Sequence, residues 1–201
     1  KRRIMECHSK PVLLVLSGPS GAGKTTVAHR LLEANENLTR IVTCTTRPAR
    51  NGENDGVDYH FLDEQEFLQR VDSGRFLEHA EVYGKYYGTL KSSVREALNE
   101  GQDVLIVNDV QGALTLSAMA REDEIMNRSL QTLFVVSDGL NELRKRLELR
   151  GADDEDMIEE RLAIAETEIA QQEKFDHVIV SGTRDEDFER VQHIYETARS
   201  T

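Results

Sequence analysis

The sequence predicts an α/β protein, a parallel sheet flanked by helices on both faces and interrupted once by a smaller α+β insert. Three observations carry this. From residue 12 onward, short apolar runs alternate with segments whose apolar residues recur at helical spacing. A glycine-rich loop joins the first run to the first helical segment. Residues 44–88 break the rhythm: they are polar and glycine-rich, with Asn51-Gly52 and Asp55-Gly56 as turn signals.

Each element follows in order. Residues 12–16, bounded by Gly18 and Pro19, read as a buried strand. Residues 24–34 carry Val27, Leu31 and Leu32 on one helix face, and residues 41–43 are strand-like. Within the insert, alternation over 57–61 predicts a half-exposed strand, Asp63 caps a short helix reaching Val71, and residues 76–82 and 86–87 form further strands. The alternation then resumes with a helix at 91–99, a strand at 104–107, a helix at 111–120, a strand at 132–136 and a helix at 140–149 stopped by Gly151. Asp153, Asp154, Glu155 and Asp156 suit the positive start of a helix, whose buried face is marked by Ile158, Leu162, Ala165 and Ile169. A strand at 178–180 and a helix at 188–198 close the pattern.

The chain has 201 residues, the size of one domain able to bury a sizeable core. Its 25 Lys and Arg against 37 Asp and Glu give a net charge of −12. So acidic a chain excludes nucleic acid and anionic membrane as partners. The longest apolar run, residues 12–16, is far short of the ~20 residues that span a bilayer. Cys7 and Cys44 make no disulfide framework, which predicts free thiols in a reducing cytoplasm. The six histidines lack metal-ligand spacing, so no tightly bound protein-ligated metal is expected. Residues 1–10 are set apart as an N-terminal extension, and the domain is placed at 11–200.

Gly18-Pro19-Ser20-Gly21-Ala22-Gly23-Lys24-Thr25 matches G-x-x-x-x-G-K-[ST] between a strand and a helix, the context this motif requires. It predicts a P-loop NTPase-type core that binds a nucleoside triphosphate, with Thr26 in the same first helical turn. Glycines let backbone N–H groups converge on phosphate oxygens, and the helix start adds its dipole. Lys24 brings charge to the β- and γ-phosphates, and the Thr25 hydroxyl serves Mg²⁺ carried with ATP. The glycines at 18, 21 and 23 do not form the dinucleotide fingerprint, and no NKxD guanine-reading motif occurs. The acceptor is left open by this motif alone. In the insert, Arg47 and Arg50 flank Pro48 and, with a tyrosine hydroxyl, suit a monoester phosphate.

Taken together these segments resemble the guanylate kinase family over roughly residues 11–200. The resemblance rests on Thr45-Thr46-Arg47-Pro48-Ala49-Arg50-Asn51-Gly52-Glu53, Gly56-Val57-Asp58-Tyr59, Phe76-Leu77-Glu78, Tyr86-Tyr87-Gly88-Thr89, Asp109-Val110-Gln111-Gly112, Arg146 to Arg150-Gly151, and Arg161. It implies a core of residues 11–42, 90–140 and 170–200, a GMP-binding insert at 43–89, and a helical lid at about 141–169. It implies γ-phosphoryl transfer from ATP to GMP. Arg47, Arg50, Tyr59 and Tyr87 would hold the GMP phosphate, with Glu53 orienting the arginines, and Thr43, Glu78 and Thr89 would read guanine. Lys24, Arg47, Arg146, Arg150, Arg161 and Asp109 would serve catalysis. The physics agrees at Glu78: guanine offers two adjacent donors to a carboxylate, whereas adenine turns a lone pair toward it.

Two departures stand out. Val107 occupies a position where the family usually carries an acid, and its neighbour Asn108 is expected on the opposite strand face, unable to stand in. Ser181-Gly182-Thr183 replaces an Asn-Asp after the last strand, so looser adenine contacts are expected. The alternatives are a ribose 1,5-bisphosphate kinase, which should lack Glu78, Thr89 and the insert tyrosines, and a non-catalytic guanylate-kinase-like binding module, which should lack Lys24 and the lid arginines. All are present.

Overall fold

The computed structural model describes residues 10–82, 84–151 and 154–200. Residues 1–9, with Cys7, lie outside that description, as do Asp153 and the side chain of Arg150. β1 (Leu13–Ser17) leads through the glycine-rich loop into α1 (Lys24–Ala34), and β2 (Leu38–Arg40) follows. The chain then leaves this layer for β3 (Thr43–Thr45), β4 (Tyr59–Phe61), α2 (Glu64–Asp72), β5 (Phe76–Val82) and β6 (Lys85–Leu90). It returns with α3 (Lys91–Asn99), β7 (Asp103–Val107), α4 (Val110–Glu122), α5 (Glu124–Ser129) and β8 (Leu130–Ser137). The helix pair α6 (Leu140–Arg150) and α7 (Glu155–Ile169), then β9 (His177–Ser181) and α8 (Arg184–Arg199), complete it.

The central sheet runs β2-β7-β1-β8-β9, every pairing parallel, and the insert forms a second sheet, β4-β3-β6-β5. Successive β1 side chains point to opposite faces. Leu13 and Val15 pack with α4 on one face, while Leu14 and Leu16 pack with α1 and α8 on the other, all fully buried. This explains why β1 reads as a continuous apolar run. The insert has its own small core, in which Phe67 of α2 stacks on Phe76 at 4.5 Å and on Tyr86 at 5.5 Å. Cys44 is buried there, and burial pushes its thiol up to about 11, so it is a packed residue and not a nucleophile.

Asp103 fastens the far end of the central sheet. It is 1 % exposed and accepts from Val12 N at 2.8 Å, Asn37 Nδ2 at 3.0 Å and Tyr195 Oη at 2.6 Å. Arg199 Nε lies 3.0 Å from the same carboxylate.

Three expectations need correction. The single strand expected at 41–43 is where the chain crosses between layers: β2 ends at Arg40 in one sheet and β3 begins at Thr43 in the other. The strand expected at 57–61 shortens to Tyr59–Phe61, because Gly56 sits at φ 74° and a turn closes on Asp58. The α5 helix was not expected from the sequence. It is a short segment capped by Asp123, with Met126 and Ser129 as its buried residues.

Candidate active site

The loop after β1 owes its shape to glycine. Gly18 has φ 138°, and a Cβ there would meet the Val135 carbonyl oxygen at 2.0 Å, so no other residue fits. The α1 helix starts at Lys24 with Gly23 as its cap, so no cap side chain stands between the helix start and an anion. Lys24 Nζ donates to the carbonyls of Gly18 at 2.7 Å and Pro19 at 2.9 Å, curling over the loop it would serve. Thr25 and Thr26 are exposed on the cleft beside it.

The helix pair α6–α7 covers this loop. Its apolar seam of Leu143, Leu147, Ile158, Leu162 and Ala165 is separate from the two main cores. Arg144 ties the pair together by reaching both Glu155 and Glu159. Leu143 and Leu147 press on the face of Gly21. Arg146 Nη1 reaches Ser181 Oγ at 3.0 Å and the Ala22 carbonyl at 3.4 Å, and Arg161 Nη1 donates to Ser20 Oγ at 2.8 Å. Both arginines thus stand at the loop; for Arg150 only the backbone, at the end of α6, is described.

Across the cleft, the insert gathers the second set. Arg47 makes a two-pronged pair with Glu53, at 2.8 and 2.9 Å, and the Arg50 N–H donates to the same carboxylate at 2.7 Å. The Arg47 hydrogen bonds hold Glu53 below the usual carboxylate range, and Glu53 in turn raises Arg47. Arg47 lies over the Tyr59 ring, and Tyr59 meets Tyr87 edge-on. Burial raises the Tyr59 hydroxyl, keeping it a neutral donor. Thr43 pairs in register with Tyr59 across β3–β4 and is buried.

Glu78 lies at the base of this insert, 4 % exposed, opposite Thr89 across β5–β6. Thr89 Oγ1 donates to Glu78 Oε1 at 2.6 Å. Burial pushes Glu78 up to about 7, against the pull of that hydrogen bond. Gly88 is required here because a Cβ would strike the Phe76 ring at 2.8 Å. Asp109 caps α4, its Oδ1 accepting from Gly112 N at 2.9 Å.

The sequence reading missed three polar groups. Asn108 Nδ2 donates to Glu78 Oε1 at 2.9 Å, correcting the expectation that it faces away. Glu168 of α7 is pushed up to about 7 by burial, while the charge of Lys24 pulls it down and that of Asp109 pushes it up. Its spacing of seven from Arg161 on one helix was the available signal. Asp187, 5 % exposed, organises the segment after β9 by accepting from Ser181 Oγ at 2.7 Å and Gly182 N at 2.8 Å. Nothing in the local sequence marked it beyond an acid in a helix's first turn.

A parallel sheet with a phosphate loop between β1 and α1, and arginines from a separate helix pair converging on that loop, defines a P-loop kinase. The family model described as guanylate kinase matches residues 10–198, and the chain belongs to the guanylate kinase family. A guanylate kinase from Anaplasma phagocytophilum is 42 % identical over 184 residues, covering 91 % of this chain and 85 % of that one. A guanylate kinase from Maricaulis maris is 42 % identical over 196 residues, covering 98 % of this chain and 87 % of that one. The crystal structure of the Anaplasma phagocytophilum guanylate kinase superposes with a TM-score of 0.78 at 34 % identity, covering 96 % of this chain and 88 % of that one. Among the described residues, no helix is long and apolar enough to cross a membrane, and no group of three or more His, Cys, Asp or Glu is placed to hold a metal ion.

Proposed function

We propose that the chain transfers the γ-phosphoryl group of ATP to GMP, giving ADP and GDP, by positioning and charge neutralisation. The observation that carries this reading is one cleft of about 750 Å³ lined on one side by Lys24 and Thr25 and on the other by Arg50 and Tyr59. Two phosphate-bearing substrates meet there end to end. ATP takes the loop from Gly18 to Thr26, and GMP takes the insert, residues 43–89. Arg47, Arg50, Tyr59 and Tyr87 hold the GMP phosphate, with Glu53 fixing Arg47. Glu78, Thr43 and Thr89 read the base.

Arg146, Arg150 and Arg161 come from the lid, about residues 141–169, and neutralise the charge spread over the transferring group. No side-chain base is required, because the GMP phosphate oxygens are already anionic at neutral pH. The Thr25 hydroxyl, beside Lys24 on the cleft, is a hard oxygen donor that suits Mg²⁺, which keeps most of its waters. Thr25 would hold it with ATP, where it neutralises phosphate charge. The substrates are small molecules, and cytoplasmic purine nucleotide recycling is the setting that suits them.

A coupled ADP-release assay with Mg-ATP tests the reading, offering GMP, AMP, UMP and ribose 1,5-bisphosphate separately. GMP should be turned over far faster than the others. Turnover with the sugar bisphosphate alone, or nucleotide binding without turnover of any acceptor, would overturn it.

A further inference from the structure

β7 ends at Val107, and two consecutive side chains there leave in opposite directions. Ile106 packs with α4 on one face of the central sheet, and Val107 packs with the α1 and α8 cluster on the other. Asn108 continues the ladder by one bond, its N–H donating to the Leu16 carbonyl at 3.1 Å. Alternation therefore returns it to the face of Ile106, the face on which β5 packs against α4. That is where Glu78 lies. A carboxylate accepts only, so the Asn108 carboxamide must turn its Nδ2 toward it, as the 2.9 Å contact requires.

Both side-chain donors, Thr89 and Asn108, fall on one oxygen, Glu78 Oε1. Oε2 instead lies over Gly112 in the first turn of α4, where a Cβ would sit 3.1 Å from Oε2 and 3.1 Å from Asn108 Nδ2. Any side chain at 112 would crowd both members of the pair.

We infer that Asn108 is a positioning residue for base selection in this chain: with Thr89 it locks Glu78 through Oε1 and leaves Oε2 to the purine's N–H groups. This rests on Glu78 as the group that reads the base. Asn108 does so from the strand face opposite Val107, so the polar contact to Glu78 is supplied without an acid at 107. A neutral carboxamide also suits the place better than a second carboxylate. The charged neighbour acting on Glu78 is Asp109, which already disfavours its ionised form, while Thr89 and Asn108 favour it. The ionised form accepts on both oxygens, whereas protonation turns one of them into an O–H donor.

The test compares wild type, Asn108→Leu, Asn108→Asp and Glu78→Gln in the ADP-release assay across pH 5.5–8.5, a range of roughly 1.5 pH units either side of the Glu78 transition, with thermal melts as a folding check. Asn108→Leu should raise KM for GMP by about 10-fold, the scale of a lost hydrogen bond to a charged group. KM for ATP should hold, and the acid limb of kcat/KM for GMP should move to higher pH. Asn108→Asp keeps the shape, adds a like charge and should move that limb further, which decides the matter even where Asn108→Leu does not fold. An unmoved limb in Asn108→Asp, or equal losses on ATP and GMP, overturns the inference. Glu78→Gln separates the two claims. Unaltered GMP preference in that variant sinks the base-reading assignment itself; lost preference there beside an unmoved limb in Asn108→Asp sinks the Asn108 inference alone.

Discussion

The phosphate loop and the pocket around Glu78 that is proposed to read the base are assembled from different material. The loop is mostly backbone: N–H groups and carbonyls of residues 18–25, contiguous in sequence, held by two large cores on either side of β1. The base pocket is all side chains, from Glu78, Thr89 and Asn108, brought together across β5, β6 and the end of β7. It leans on a core of just Cys44, Phe67 and Phe76 with a few half-buried neighbours. Phosphate is the same in every nucleotide and tolerates a generic cradle. Discriminating one base from another needs particular side chains, and these can be changed one at a time.

The largest effect should come from the one side chain the loop relies on. A charge contact of this type is worth about 4 kcal/mol at an effective dielectric near 20. Lys24→Ala should therefore lower kcat by roughly 10³-fold, while titration calorimetry finds GMP affinity within about threefold of wild type. Turnover near the parent's would break the contrast at its donor end. Next is the insert core. Phe67→Ala should cost about 3–5 kcal/mol of local stability. Hydrogen exchange should show the amides of β3–β6 losing protection while those of β1 and β8 keep theirs. Uniform loss would mean that the insert does not open as a separate unit.

The smallest effect sharpens the acceptor end. Glu78 is pushed up to about 7, and the proposed reading of GMP calls for its ionised form. Acid therefore removes the acceptor: kcat/KM for GMP should fall about tenfold per pH unit below 7. In Glu78→Gln that limb should vanish, and preference for GMP over AMP should drop by about 100-fold, since an amide presents a donor. A limb that survives the substitution belongs to another group, with Glu168 as the first suspect.

The same difference in material governs what could be read from sequence. A loop made by neighbouring residues is written in consecutive letters, so its glycines, Lys24 and Thr25 were legible directly. The arginine and tyrosine sets of the insert became legible through family resemblance, because their spacing alone fits a solvated loop equally well. Asn108 is hard to read because alternation from an acid position at 107 turns it away from the pocket, whereas in the structure Val107 packs on the opposite face and Asn108 reaches Glu78. Glu168 escaped because Lys24, which acts on it, is remote in sequence, and Asp187 escaped because its partners Ser181 and Gly182, though close in sequence, form no motif with it. Elements were placed well where one sheet explained them. They were misplaced at 41–43, where the chain changes sheets, a switch that hydrophobic periodicity does not record.

The Asp103 fastening has a consequence for synthesis. Its partners are Val12 and Asn37, made before it, and Tyr195 and Arg199, made more than ninety residues after it. A nascent chain that has already paired β1 with β7 still carries a buried carboxylate missing its α8 partners. The sheet can form on the ribosome, but it closes at this end only when α8 has been released. Chains stopped before Tyr195 should accordingly be cut by protease far faster than full-length ones, with cleavage beginning around Asp103.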